Sequence, residues 1–302
     1  MFLKGRSESL ELLHFQYLST RMKLDGKEKS HYLNLKKGYE GELKFDLLAE
    51  ILREERYVIN DLLLEVNNSY FQIDTLIISQ EIIYLLDIKN YEGDFSLEAD
   101  KLCALSTNRE YKNPLYQLKR SESLFRQLLH NLNTDYLIEA SIIFINPEFT
   151  LYHASVNYPI ILPTQLNRFF YDLNRAQSRL NDGHKKLARK LISLHQTKNP
   201  FTVLPQYYYD QLRKGIYCNA CKSFQISIKN TSFVCGVCGE YEKIEQAILR
   251  NVDEFKLLFP DRLITTLNIH DWCNPGLNKK TLCRILKKNF TANGSTRDTY
   301  YT

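Results

Sequence analysis

Short apolar runs bounded by turn-forming residues dominate the first half of the chain. Five such runs predict strands, near residues 56–66, 70–78, 81–89, 141–145 and 160–162. Asn67-Asn68-Ser69 and Ser79-Gln80 supply turns between the first three runs, as expected for consecutive strands. The run at 141–145 is almost wholly apolar, which is typical of a strand buried on both faces.

Apolar residues at helical spacing alternate with these strands. They predict helices over residues 7–35 (with a break near Asp25-Gly26), 40–53, 113–131, 164–180 and 184–195. Asn113-Pro114 has the composition of a helix start, with Asn as the N-cap and Pro in the first turn. The order of helix, three strands, helix, two strands and further helices predicts an α/β core.

The chain changes character near Lys198-Asn199-Pro200, where a linker is expected. A compact cysteine-containing segment follows, and then helices near residues 241–258, 262–272 and 278–290. We therefore expect four parts: a helical arm at 1–35, an α/β domain at 36–200, a small module at 201–240 and a helical module at 241–302.

Asp87-Ile88-Lys89 ends the third predicted strand, and Asp74 lies within the second. Residues two apart on a strand point to the same side of the sheet, so Asp87 and Lys89 share a face. If the two strands form a hairpin, both carboxylates and the ammonium group converge, and such a set can hold a divalent metal beside a phosphate. The alternative is a charged strand end that reaches solvent.

Three further polar residues, because of their order along the chain, favour a site over a solvent-exposed strand end. Gln72 shares a strand face with Asp74, Glu42 follows Gly41 on the preceding helix, and Gln117 lies in the first turn after Asn113-Pro114. Each alone is more often a surface residue than a ligand. Together they give the order helix Glu, strand Asp, strand Asp-x-Lys, helix Gln.

That order resembles the nuclease-related domain (NERD) family within the PD-(D/E)XK nuclease superfamily. The resemblance covers roughly residues 36–150 and rests on four segments: Gly38-Tyr39-Glu40-Gly41-Glu42, Gln72-Ile73-Asp74, Leu86 to Gly93, and Asn113-Pro114 with Gln117. Asp87 departs from the Glu that the family more often has, which shifts a metal without removing its ligand. Ser121 stands where some related nucleases have Tyr, which weakens a closer analogy to those enzymes.

The resemblance implies a mixed sheet flanked by helices and a role for each matched residue. Asp74 and Asp87 would bind Mg²⁺ or Mn²⁺, with the Ile88 carbonyl as a further ligand. Lys89 would orient the attacking water or stabilise developing negative charge, and it could act as a base only with a strongly lowered pKa. Glu42 would hold a water beside the metal or a second ion, and Gln117 would position water or phosphate.

Four cysteines form two C-x-x-C pairs separated by thirteen residues, Lys222 to Val234. The cysteines are Cys218, Cys221, Cys235 and Cys238. Four thiolates suit a closed, tetrahedral and therefore structural Zn²⁺ site, and the pattern is similar to a zinc ribbon. A redox pair or plain buried cysteines are the alternatives, and the gap between the pairs is slightly short for such sites.

The last predicted helix is basic on one side. Its candidate nucleic-acid-binding residues are Lys279, Lys280, Arg284, Lys287 and Lys288. After the break at Asn274-Pro275-Gly276 it forms the second helix of a helix-turn-helix-like pair, which can enter a nucleic-acid groove. Asn293-Gly294 and Thr299 to Tyr301 could add a small wing. The alternative is a helical cap with a solvated basic face.

Composition narrows the class of protein. The net charge is +5, and 44% of the residues are apolar, as in globular proteins, but no run approaches the length of a membrane helix. The paired cysteines suggest metal in a reducing compartment, so we expect a cytoplasmic protein. The leading hypothesis is a metal-dependent nuclease acting on DNA rather than RNA. The alternatives are a nucleic-acid-binding protein whose nuclease-like core no longer cuts, and an interaction scaffold without nucleic-acid affinity.

Overall fold

The computed structural model describes residues 1–53, 55–98, 101–295 and 299–302. Its helices are α1 (Leu10–Arg21), α2 (Gly26–Ala49), α3 (Pro114–Asn131), α4 (Leu166–Arg175), α5 (Asp182–Ser193), α6 (Ile244–Leu258), α7 (Thr266–Cys273) and α8 (Lys279–Asn289). Its strands are β1 (Phe2–Lys4), β2 (Tyr57–Val66), β3 (Ser69–Ile78), β4 (Ile82–Lys89), β5 (Gly93–Glu98), β6 (Lys101–Ala104), β7 (Arg109–Lys112), β8 (Leu137–Phe144), β9 (Phe149–Tyr152), β10 (Ile160–Ile161), β11 (Ile226–Lys229), β12 (Ser232–Cys235), β13 (Tyr241–Lys243), β14 (Ala292–Asn293) and β15 (Tyr300–Tyr301).

These elements form two compact units, each made of two stretches of the chain. One unit contains Met1–Ser9 and Leu33–Thr202, and the other contains Leu10–Tyr32 and Val203–Thr302. In the described part of the chain, no helix is both long enough and apolar enough to cross a membrane.

The first unit is built on a mixed sheet with the strand order β1-β2-β3-β4-β8-β10. Strands β2, β3 and β4 are antiparallel, whereas β8 pairs in parallel with β4 and with β10. One face packs against α3 and α5 through residues such as Phe125 and Leu191, and the other packs against α2 and α4 through Phe45 and Phe170. The predicted α/β fold, a mixed sheet flanked by helices, is confirmed.

A second sheet, with the order β7-β6-β5-β9, was not predicted from the sequence. Its strands are short, and β7 has the sequence Arg-Glu-Tyr-Lys, which lacks the apolar run that identifies a strand. Tertiary packing compensates for this, because Phe95, Leu102 and Phe149 bury their side chains in the same core as α3. Strands β5, β6 and β7 are inserted between the end of β4 and the start of α3, whereas β9 follows β8.

Helix α2 corrects the predicted helix boundaries. The sequence pattern indicated one helical region ending near residue 35 and a separate helix at 40–53, but the structure has one continuous helix, Gly26–Ala49. The predicted break near Asp25-Gly26 does separate α1 from α2. Gly41 is a point of close approach, because a Cβ atom there would lie 2.4 Å from the Cβ of Asn90.

In the second unit, β11, β12 and β13 form an antiparallel sheet, and α6, α7 and α8 follow it. Asn274 ends α7 in the left-handed conformation and Asn278 caps α8, which produces the predicted helix-turn-helix-like pair. The two-residue strands β14 and β15 pair as the expected wing.

A buried ion pair connects α1 to this second unit. Arg21 Nε donates to Glu254 Oε1 over 2.6 Å, and both side chains are fully shielded from solvent. The guanidinium also contacts the face of Trp272 at 4.0 Å from the ring centroid. Because a buried charge is stable only when it is paired, this network fixes the position of α1 within the unit.

Candidate active site

The β3–β4 hairpin brings the two predicted acids together. Thr75 pairs with Leu86, so the next residues along the two strands, Asp74 and Asp87, face each other where the hairpin opens. The Ile88 amide donates a hydrogen bond to Asp74 Oδ2 over 2.8 Å. This bond fixes the Asp74 carboxylate against the end of β4.

Lys89 lies on the same strand face as Asp87, as the two-residue period requires. Its Nζ atom is 2.8 Å from Asp87 Oδ1 and 3.4 Å from Gln117 Oε1. Gln117 reaches the site from the first turn of α3, where Asn113 accepts a hydrogen bond from Leu115 N over 2.9 Å. The N-cap therefore sets the position of Gln117 relative to Lys89.

Crowding of negative charge dominates the electrostatics of this site. Burial, followed by the charges of Asp87 and Glu42, raises the pKa of Asp74 well above its ordinary value. Burial opposes the charge on Lys89, but Asp87 and Asp74 outweigh it and raise the pKa of Lys89 above its ordinary value. Two carboxyl groups thus compete for one ammonium group, an arrangement that a divalent cation relieves.

Glu42 approaches the site from α2, whose position depends on Gly41. The missing side chain at Gly41 lets the helix pack against Asn90, and Asn90 Nδ2 donates to Lys37 O over 2.7 Å. Burial raises the pKa of Glu42, although Arg6 partly opposes this effect. From the sequence alone, a glycine at this point of a helix has no evident structural reason. The structure gives one, which is the close packing of α2 against Asn90.

Arg6 is the residue that the sequence analysis missed. Its Nη1 atom donates to Glu42 Oε2 over 2.7 Å, its Nε atom to Asp46 Oδ2 over 3.0 Å, and its Nη2 atom to the backbone carbonyl of Asp74 over 2.9 Å. Nothing in the composition of the N-terminal segment marks this arginine. Its only sequence signal is an isolated basic residue ahead of an acid pair spaced i, i+4 on α2.

The donor set fits a divalent cation with oxygen ligands. A narrow cleft runs over the hairpin and the start of α3, and its lining includes Gln72, Asp74, Asp87, Gln117 and Ser121. Asp87 Oδ2 is buried and has no hydrogen-bond partner among the residues that the structure describes. A buried carboxylate oxygen without a partner is unfavourable, and a metal ion would satisfy it.

Glu42 is not part of one tight ligand cluster with the two aspartates. Throughout the described ranges, only the four cysteines form a group of three or more ligand atoms within 4.8 Å of one another. Asp74 and Asp87 are therefore the closest candidates for direct metal ligands. Glu42 lies further out, beside Arg6.

The four cysteines of the second unit do converge. Cys218 Sγ lies 3.6 Å from Cys238 Sγ, and Cys221 Sγ lies 3.5 Å from Cys235 Sγ. Tetrahedral Zn–S bonds of about 2.3 Å would separate the sulfurs by about 3.8 Å. Hydrogen bonds from the backbone N–H groups of Cys238 and Val237 lower the pKa of Cys235 to about 6. The cluster is compatible with a zinc ribbon.

The basic residues of α8 are all exposed: Lys279, Lys280, Arg284, Lys287 and Lys288. Lys288 Nζ lies 2.9 Å from Glu245 Oε2, so part of its charge is offset within the unit. Leu282 and Leu286 bury the opposite side of the helix. The basic side is therefore presented to solvent.

Comparison with known proteins places the hairpin site within a defined family. No curated protein and no solved structure matches the chain. A family model does match, and the matched segment contains Glu42, Asp74, Asp87, Lys89 and Gln117, whereas Arg6 precedes it. Residues 37–145 match the model of the nuclease-related domain, NERD.

Proposed function

We propose that the protein is a divalent-metal-dependent nuclease that hydrolyses phosphodiester bonds, with DNA as its substrate. The observation that carries the proposal is the convergence of Asp74, Asp87 and Lys89 at the open end of the β3–β4 hairpin, inside the nuclease-related domain. The nuclease-like domain would extend over residues 36–200. It would be preceded by an arm at 1–35 and followed by modules at 201–240 and 241–302.

Asp74 and Asp87 would hold Mg²⁺ or Mn²⁺, since both ions prefer carboxylate oxygens. When bound, such an ion makes water more acidic and offsets negative charge on the scissile phosphate. The hydrogen bond from Ile88 N keeps Asp74 turned toward Asp87. The Ile88 carbonyl is a third candidate ligand.

Lys89 would act as a cation rather than as a base. Its pKa is raised, so the side chain is protonated at neutral pH and can donate hydrogen bonds to a phosphate oxygen or to the attacking water. Gln117, 3.4 Å from Lys89 Nζ, would orient the same phosphate or water. Glu42 would orient water at the edge of the site.

Strand cleavage of plasmid DNA with Mg²⁺ or Mn²⁺ tests the proposal, with RNA of matched length in parallel. Asp87→Ala should lower the cleavage rate at least 100-fold, because it removes a proposed ligand and the partner of Lys89. Asp94→Ala is the matched control, because Asp94 is an exposed acid on β5, and this variant should cleave DNA at the wild-type rate. Full activity in Asp87→Ala would contradict the assignment. Binding without cleavage by the wild type would favour a non-catalytic nucleic-acid-binding protein.

We propose that the cysteine cluster holds a structural Zn²⁺ ion. The strands β11 to β13 are three or four residues long, so the module has little apolar core of its own and would gain its stability from the metal. Less than half an equivalent of zinc in freshly purified protein would contradict this proposal.

We further propose that the basic side of α8 contacts the phosphate backbone of the substrate. Changing Lys280, Arg284 and Lys287 to Gln should weaken binding, and it should lower the slope of log affinity against log salt by roughly 3, because each phosphate contact contributes about 0.9. Lys256→Gln is the matched control, since Lys256 is an exposed lysine on α6 of the same unit. Binding that is insensitive to salt would contradict this role.

A further inference from the structure

We propose that Arg6 is a positioning residue of the nuclease site, and that its guanidinium fixes the acid of α2 against the metal-binding strand β3. This inference rests on the proposed function, because it assigns Arg6 a purpose within that site. Arg6 lies outside the matched family segment, 37–145. The segment Met1–Ser9 nevertheless belongs to the same compact unit as the site.

The guanidinium of Arg6 bridges two elements that carry site residues. On the α2 side it binds Glu42 through Nη1 and Asp46 through Nε and Nη2, at 2.7, 3.0 and 3.2 Å. Glu42 and Asp46 are four residues apart, so they share one face of the helix. On the β3 side, Nη2 lies 2.9 Å from both the Asp74 carbonyl and Thr75 Oγ1.

The orientation of Glu42 relative to Asp74 therefore depends on one planar group. The Arg6 side chain is only 1% exposed, whereas Glu42 keeps 19% of its side chain exposed. Arg6 Nη1 holds the Glu42 carboxylate through one oxygen, Oε2. Arg6 thus determines which side of Glu42 can face a bound water or ion.

Only an arginine can make this bridge. Its donors lie in a rigid fork, whereas lysine presents one nitrogen and cannot reach acceptors on a helix and on a strand together. Arg6→Lys keeps the charge and loses the geometry. It therefore separates a positioning role from a general need for positive charge at this point.

Titration calorimetry with Mn²⁺ on the zinc-loaded protein, with no other divalent cation added, tests the inference independently of cleavage. Residues that orient ligands from outside the first coordination shell contribute 10- to 100-fold to metal affinity or activity. We expect Arg6→Lys to weaken Mn²⁺ binding about 10-fold or more. We also expect it to lower kcat at saturating Mn²⁺ while the KM for DNA changes less than about twofold.

Arg56→Lys is the matched control, because it perturbs another buried arginine of the same unit. Arg56 donates to Ser79, in the turn at the closed end of the β3–β4 hairpin, and to the backbone at the end of α4. We expect this variant to lose stability while binding Mn²⁺ like the wild type. Equal losses of Mn²⁺ affinity in the two variants would overturn the inference, since Arg6 would then be merely structural.

A double-mutant cycle covers the case in which Arg6→Lys folds poorly. Asp46→Asn weakens the anchoring of Arg6 without changing Arg6 or Glu42, and should weaken Mn²⁺ binding in the same direction by a smaller factor. On a Glu42→Gln background, Asp46→Asn should have no further effect. Independent effects would overturn the inference. A wild type that binds Mn²⁺ but does not cut would refute only the nuclease activity, whereas a wild type that does not bind Mn²⁺ would refute both proposals.

Discussion

Asp74→Asn should stabilise the nuclease unit when no divalent metal is present. The pKa of Asp74 is raised above its ordinary value of 3.8, so the folded state binds a proton more tightly than the unfolded chain does. The ionised carboxylate therefore destabilises the fold at neutral pH. Asparagine removes that charge and can still accept the hydrogen bond from Ile88 N.

The magnitude follows from the register of the hairpin. The Cβ atoms of directly opposed residues lie roughly 5 Å apart, and two like charges at about that separation repel by about 3 kcal/mol at an effective dielectric constant of about 20. Lys89 offsets part of that repulsion because it lies 2.8 Å from Asp87. We therefore expect Asp74→Asn to raise the free energy of unfolding of the metal-free unit by about 1 to 2 kcal/mol at pH 7.5.

The difference in stability between Asp74→Asn and the wild type depends on pH. Below about pH 4 the carboxyl group is protonated in both the folded and the unfolded states, so the two proteins should be equally stable. The advantage of the variant should appear as the pH rises from there. It should reach its full size once the pH exceeds the raised pKa of the folded state.

Hydrogen–deuterium exchange of peptides that cover β3 and β4 is the suitable assay. The only tryptophan of the chain, Trp272, lies in the second unit, so its fluorescence does not report on this sheet. Saturating Mn²⁺ should reverse the order of stability, since a ligand at 100 times its Kd stabilises the wild type by about 2.7 kcal/mol. Asp94→Asn is the matched control and should change stability by less than about 0.5 kcal/mol.

Two results would refute this reasoning. If Asp74→Asn exchanges faster than the wild type without metal at pH 7.5, the carboxylate contributes a contact that outweighs the repulsion. If Mn²⁺ protects the wild type and the variant equally, Asp74 is not a ligand.

The remaining predictions concern packing, metal and a buried ion pair. Gly41→Ala should destabilise the nuclease unit by about 1 to 3 kcal/mol and reduce cleavage. Gly38→Ala is its control, because a Cβ atom at Gly38 would meet open space, and it should be neutral or stabilise the unit by up to about 1 kcal/mol. Hydrogen exchange of α2 measures the change in both variants. Cys221→Ser should remove bound zinc, seen by elemental analysis, and lower the melting temperature of the second unit, whereas unchanged zinc content would contradict a four-thiolate site. Glu254→Gln should destabilise that unit by about 3 kcal/mol because it leaves the Arg21 charge buried without its counter-ion. Urea unfolding followed by tryptophan fluorescence measures this loss, and a change below about 0.5 kcal/mol would contradict it.

The sequence predicted those parts of the fold that local pattern determines. The two strands that carry Asp74 and Asp87 contain short apolar runs, and Asn113 caps α3 as its identity indicates. The cysteine spacing likewise predicted a small antiparallel module. In each case, the residues that make the structure lie within a few positions of one another.

The parts that were missed depend on contacts between distant residues. The strand β7 has little apolar character and exists because its neighbours β5 and β6 are held by the core. Arg6 lies 36 residues from Glu42 and 68 from Asp74, so no local spacing could identify it. Gly41 gave a visible signal, but its partner Asn90 is on another element and only the folded structure shows their contact.

The ion pair between Arg21 and Glu254 has a consequence for the order in which the protein folds during synthesis. The two residues are 233 positions apart, and the last residue of the nuclease unit, Thr202, leaves the ribosome well before Glu254 does. At 5 to 20 residues per second, the interval of about 50 residues takes roughly 3 to 10 s. The nuclease unit can therefore complete its sheet before Glu254 is available to pair with Arg21 of α1. During those seconds Arg21, whose side chain is buried in the folded unit, has no counter-ion from Glu254.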